Sequence, residues 1–101
     1  METNMFARVM STNLKKEAID QAAAEWRLHI EPFRKTGLKK AYMFVDRATG
    51  KYLSITIWEN EEVQKQNATS PGQMIGRDAM TKKYFESAPT PATYEVLEVV
   101  E

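Results

Sequence analysis

Residues 38–59 carry the clearest alternation in the chain. Positions 41–45 are apolar on both parities, with Ala41, Met43 and Val45 on one side and Tyr42 and Phe44 on the other. A strand of that kind needs cover on both faces. From 52 to 58 the two sides differ. Leu53, Ile55 and Ile57 point one way, and Tyr52, Ser54, Thr56 and Trp58 point the other. Asp46 can bond its own backbone in the intervening turn, and Gly50 can take the positive φ that closes it. The pattern predicts a β-hairpin.

The flanks add the remaining elements. Residues 5–10 predict a first strand, with Arg8 on the side of Phe6 and Met10. Ser11, Thr12 and Asn13 offer helix caps. From 14 to about 34, Ile19, Ala22, Trp26, Ile30 and Phe33 form one apolar helical stripe. Pro32 cannot donate to the Leu28 carbonyl and crowds it, which predicts a bend around His29. Gly37 is placed to end this helix in a left-handed conformation. A capped short helix is predicted from Glu59–Glu62 to about 66. Ser70 and Pro71 predict the start of another, running to about 86, with Met74, Arg77, Thr81 and Tyr84 at helical spacing. Residues 88–91 read as a stiff linker, and 92–100 as the last strand. With no internal repeat and no boundary, 1–101 is expected to be a single domain.

The order strand, helix, strand, strand, helix, strand predicts an α+β fold. It is the ferredoxin-like four-stranded antiparallel sheet with helices on one face. The other face is apolar and lacks a cover within this chain. A second copy packing sheet to sheet is the expected cover, giving a homodimeric α+β barrel.

Charge and composition narrow the classes. Fourteen basic residues balance fourteen acidic ones, so neither a nucleic-acid nor a membrane partner built on bulk charge is expected. The chain has no cysteine, which removes disulfides and thiolate chemistry and fits a cytoplasmic protein. The opening residues METNMFARVM contain no long apolar run, so no signal peptide or membrane span is expected.

The run Ala41-Tyr42-Met43-Phe44-Val45-Asp46-Arg47, then Thr49-Gly50-Lys51, then residues 53–59 from Leu53 to Trp58-Glu59, resembles the antibiotic biosynthesis monooxygenase family of dimeric α+β barrels. Phe6-Ala7-Arg8-Val9 and Tyr94-Glu95-Val96 also fit it. The resemblance covers nearly the whole chain. In the polyketide oxygenases of that family a tryptophan ends the third strand, and Trp58 matches it. An asparagine stands four residues earlier, where this chain has Ser54. An arginine lies on the last helix, where Arg77 falls. The tyrosine that follows their tryptophan has no equivalent here. The haem-degrading branch carries a histidine on the last helix and an asparagine on the first strand. Residues 70–86 hold no histidine and residues 5–10 no asparagine, so haem degradation of that type is not expected.

The candidate residues each have a plain structural alternative. Trp58 would offer an indole N–H and a stacking face, or fill the core beneath a helix. Ser54 and Thr56 share its face and would present hydroxyls to a ligand. Arg77 would hold an enolate or carboxylate, or would pair with a buried acid or reach out to solvent. His29, the one histidine, would take a proton near neutrality, or be a boundary residue on the helix flank. Trp26, Phe33, Trp58, Tyr84 and Phe85 aim at one space and either line a pocket or close it. Arg8 would point into a cavity or make a salt bridge across the sheet. Gly72 and Gly76 make a GxxxG spacing that carries no weight outside a membrane. One histidine and no cysteine predict no transition-metal site. No phosphate loop, nucleophile elbow or dinucleotide fingerprint occurs, so no cofactor is expected.

Together the residues and the resemblance imply a cofactor-independent monooxygenase acting on a small aromatic, polyketide- or quinol-like substrate. Trp58, Arg77 and His29 would carry the chemistry. Ser54, Thr56, Trp26, Phe33 and Tyr84 would bind the substrate. The alternative is a non-catalytic dimeric barrel that binds or senses a small molecule.

Overall fold

The computed structural model describes residues 4–101; the first three residues of the N-terminal reading lie outside it. Four strands form one antiparallel sheet: β1 (Phe6–Asn13), β2 (Leu38–Val45), β3 (Lys51–Trp58) and β4 (Thr90–Glu95). Their order is β2-β3-β1-β4, the ferredoxin-like arrangement. Helices α1 (Ile19–Ile30), α2 (Glu61–Ala68) and α3 (Pro71–Lys83) complete the fold. Among the described residues no helix is long and apolar enough to cross a membrane.

Strand β1 is longer than its apolar run. Ser11, Thr12 and Asn13 pair with Leu53, Tyr52 and Lys51 instead of capping a helix. Thr12 Oγ1 donates to the Ser87 carbonyl at 2.9 Å, and Glu86 N donates to the Asn13 carbonyl at 2.9 Å. These tertiary bonds outweigh the capping preference. A short 3₁₀ turn at Lys16–Ala18 leads into α1.

Pro32 acts two residues later than the sequence suggests. The α-winding holds through His29 and stops at Ile30, and a 3₁₀ helix runs over Glu31–Thr36 with Pro32 in its first turn. Glu31 N still donates to the Arg27 carbonyl, but Pro32 has no N–H for the Leu28 carbonyl, and the α-bonding ends there. Gly37 then takes φ 107° and ends the segment, as its position predicts.

The hairpin turn forms as expected. Ala48 N donates to Asp46 Oδ1 at 2.9 Å, Gly50 N donates to the Asp46 carbonyl at 2.7 Å, and Gly50 has φ 83°. Asn60 and Ser70 cap α2 and α3 through their side-chain oxygens.

Strand β4 spans Thr90–Glu95 rather than 92–100. Its neighbour β1 begins at Phe6, which pairs with Glu95, and Val96 N donates to the Met5 carbonyl as the last bond. Beyond that point no strand is left to pair with, so Leu97, Val99 and Val100 stay exposed despite their alternation. At its other end β4 includes Pro91, which an edge strand tolerates because it has no ladder to donate to on its free side.

The faces of β3 separate cleanly. Tyr52, Ser54, Thr56 and Trp58 are buried beneath the helices. Leu14, Ile19, Ala22, Tyr52, Met80 and Phe85 form the core at one end. Leu14 is fully buried, and its truncation to alanine is expected to cost about 2–5 kcal/mol. The opposite sheet face has no cover within the chain. Tyr42 and Phe44 stack there at 5.7 Å, and Phe44 and Tyr94 remain 49% and 58% exposed.

Candidate functional site

A cavity lies between the sheet and helices α1 and α3. Its volume is about 60 Å³, and the empty space including the part open to solvent reaches about 500 Å³. Five elements supply most of its lining. The sheet floor supplies Arg8 and Met10 from β1 and Tyr52 and Ser54 from β3. Helix α1 and the 3₁₀ helix after it supply Trp26, His29 and Phe33, and α3 supplies Gln73, Arg77 and Met80.

Small residues let the two helices meet closely. A Cβ on Gly76 would lie 3.1 Å from His29 Cγ, and one on Gly72 would lie 3.4 Å from Phe33 Cζ. The GxxxG spacing therefore has a use in this water-exposed fold. It seats two rings of α1 and its extension against α3 and sets the width of the cavity.

The wall and floor are joined by one polar contact. Trp26 Nε1 donates to Ser54 Oγ at 2.9 Å, holding the indole in the cavity wall. Beside it, burial pushes the Tyr52 phenol up to about 12, an effect partly offset by Ser54. Tyr52 is therefore a neutral hydroxyl at any ordinary pH.

His29 lines the cavity and is positioned from behind. Its Nε2 lies 3.5 Å from Glu25 Oε2. The other oxygen of Glu25 accepts from Lys83 Nζ at 3.0 Å and from the Tyr84 hydroxyl at 3.2 Å. The hydrogen bond from Lys83, partly offset by burial, holds the Glu25 carboxyl below its ordinary value. Tyr84 belongs to this cluster and does not line the cavity. Arg77 lines the cavity while its Nη2 donates to the Ala68 carbonyl at 2.9 Å, at the C-terminal end of α2. A cation there also meets the negative end of the helix dipole.

Trp58 and Thr56 lie behind the cavity. Trp58 is 1% exposed, and its Nε1 donates to Thr56 Oγ1 at 2.9 Å. Its ring meets the edge of Phe33 at 6.2 Å, so it backs a lining residue without touching the space. The structure thus gathers Arg77, His29, Ser54, Trp26 and Phe33 around one cavity and leaves Trp58, Thr56 and Tyr84 outside its lining. Sequence reasoning passed over Tyr52 and Gln73 as site residues. Tyr52 was legible, since it shares the parity of Ser54 on β3. Gln73 carried no signal beyond sitting one turn before Arg77 on α3.

No family model matches the sequence, and no curated protein is detectably similar to it. Solved structures do match. A cofactor-independent oxygenase from Streptomyces nogalater, SnoaB, superposes with a TM-score of 0.77 at 11% identity, over 97% of this chain and 98% of its own. A protein from Nitrosomonas europaea, provisionally named an antibiotic biosynthesis monooxygenase, gives a TM-score of 0.75 at 10% identity, over 96% and 94%. A conserved protein from Methanosarcina mazei Go1 gives 0.76 at 13% identity, over 91% and 92%. At such identities the likeness concerns the backbone alone. The chain has the fold of the antibiotic biosynthesis monooxygenases.

Proposed function

We propose that the protein is a cofactor-independent monooxygenase acting on a small aromatic, polyketide- or quinol-like substrate. The observation that carries this reading is the convergence of His29, Arg77 and Trp26 on one largely apolar cavity. The shared fold with SnoaB, itself a cofactor-independent oxygenase, supports it. In such chemistry the substrate reacts with dioxygen as its own anion. One oxygen atom enters the product and the other leaves as water. The protein supplies a proton acceptor, a stabiliser of the developing negative charge and a dry wall. His29, steadied by Glu25, takes the proton, and Arg77 faces the resulting anion. Trp26 and Phe33 flank the ring, Ser54 fixes Trp26, and Trp58 supports Phe33 from behind.

Size constrains the substrate. A dry cavity of about 150 Å³ is what accommodates benzene. The cavity volume here, about 60 Å³, is less than half of that, so a ring sits partly in the open mouth or displaces the flexible Met10 and Met80 side chains. A single ring or the narrow edge of a larger one fits that geometry best.

The reading includes a homodimer. Its support is the uncovered sheet face, where Tyr42, Phe44, Leu53, Ile55, Ile57 and Tyr94 form a continuous apolar surface.

One observation favours the alternative of a non-catalytic binding protein. The Trp58 N–H is already bonded to Thr56 and offers nothing to a ligand. Dioxygen consumption by the purified protein with a panel of anthrones and hydroquinones separates the two. Uptake with product formation supports the oxygenase, and saturable binding of an aromatic with no product supports the alternative.

A further inference from the structure

Among the described residues, six of the fourteen basic side chains are matched by acids, Lys40 by Glu101. Arg34 pairs with Glu31, Arg47 with Asp20, Lys39 with Glu59, Lys65 with Glu61 and Lys83 with Glu25. The two arginines of the cavity differ. Among the described residues neither Arg8 nor Arg77 has a carboxylate partner. Arg77 uses one donor on the Ala68 carbonyl, and the Arg8 side chain makes no hydrogen bond to another described residue. A guanidinium carries five N–H donors in a planar fork. The two arginines therefore bring unused donors into one space, whose lining includes Trp26, Phe33 and Met80 beside His29, Ser54 and Gln73.

We infer that Arg8 of β1 and Arg77 of α3 form a clamp for the anionic group of an aromatic acid, a carboxylate or phenolate whose ring lies against Trp26 and Phe33. The inference rests on the cavity being the ligand site of the proposed function, and it names the class of ligand.

Three physical points support it. Arg8 projects from the middle of the sheet, directly opposite Thr56 of β3 and Thr93 of β4, and Glu95, two positions further along β4, accepts from Asn4 Nδ2 at 2.7 Å. Burial, and after it the charge of Arg77, lower the pKa of Arg8, so the two cations repel each other in a half-buried place. A bound anion relieves that repulsion and takes up donors that are otherwise left to water. Glu25, the acid behind His29, cannot serve, because Lys83 and Tyr84 already occupy it.

The test uses the full chain and the fluorescence of Trp26, which lines the cavity while Trp58 is sealed away from it. Benzoate and its neutral isostere benzamide are titrated at low salt. The expected result is a preference for benzoate of about tenfold or more, as charge-assisted bonds imply. That preference disappears in Arg8→Gln and Arg77→Gln and is partly kept in Arg8→Lys. Should Arg77→Gln unfold through loss of its Ala68 contact, Arg8→Gln and Arg77→Lys carry the test. Equal binding of the two probes, binding of neither, or a preference unchanged by the substitutions overturns the clamp. Dioxygen uptake is read separately. Benzoate preference without uptake by any substrate keeps the clamp and ends the oxygenase reading. Uptake on quinols with no charge preference does the reverse.

Discussion

The Trp26 indole nitrogen donates to Ser54 Oγ at 2.9 Å, and this bond fastens helix α1 to strand β3 at the cavity wall. Ser54→Ala leaves the indole donor without its partner. The expected loss is about 1 kcal/mol in urea unfolding. In a double-mutant cycle with Trp26→Phe the coupling should be of the same order, and a coupling near zero contradicts the role given to the pair.

Gly72 and Gly76 should respond differently to the same change. Gly76→Ala gains about 1 kcal/mol of helix propensity but drives a methyl into His29 at 3.1 Å, with an overpacking cost of about 1–3 kcal/mol. The expected outcome is a net loss of about 1 kcal/mol and a displaced histidine. Gly72→Ala meets Phe33 at an ordinary contact distance of 3.4 Å and should be neutral or slightly stabilising. Denaturation curves of the two variants decide this, and equal effects would remove the packing argument.

Tyr52 predicts an alkaline limit. Its folded value is raised to about 12 from an ordinary 10.0, so the native state holds this proton more tightly than the unfolded chain. The associated stability is fully present below pH 10 and is lost as pH rises towards 12. Two pH units correspond to about 3 kcal/mol. Stability measured from pH 9 to 12 should fall less steeply in Tyr52→Phe than in the native chain. Parallel slopes contradict the assignment.

The uncovered face predicts the assembly. Sedimentation should give a mass about twice that of one 11.6 kDa chain. Leu53→Glu places a charge in the middle of the apolar face, and should shift the mass to that of one chain or lower solubility sharply. A native mass near 11.6 kDa removes the homodimer.

Much of the architecture was legible because it rests on local rules. The period-two split of β3 separated Tyr52, Ser54, Thr56 and Trp58 from Leu53, Ile55 and Ile57, and that split is the division between the helix side and the open side. Gly37 and Gly50 announced their positive φ. What failed depended on partners distant in sequence. Ser11 to Asn13 joined β1 because Leu53, Tyr52 and Lys51 were there to pair with them. Residues 96–101 left the strand pattern because β1 had ended.

The candidate site divided along the same line. Ser54 and Trp26 could be named from their faces, but no sequence pattern shows that they bond to each other. Trp58 and Ser54 share one face of β3, yet one is sealed behind Phe33 and the other meets the cavity. Which of two neighbours on a face touches empty space is decided by the helices above. The meaning of Gly72 and Gly76 was hidden for the same reason, since it depends on where α1 places His29 and Phe33.

The most direct test of the proposed chemistry is dioxygen consumption by metal-free, flavin-free protein with anthrones and hydroquinones, followed with an oxygen electrode and by product mass. The account predicts uptake with one oxygen atom incorporated, falling about 100-fold in His29→Ala, the range expected for loss of a general base. No uptake with any substrate, or uptake unchanged in His29→Ala, would contradict it.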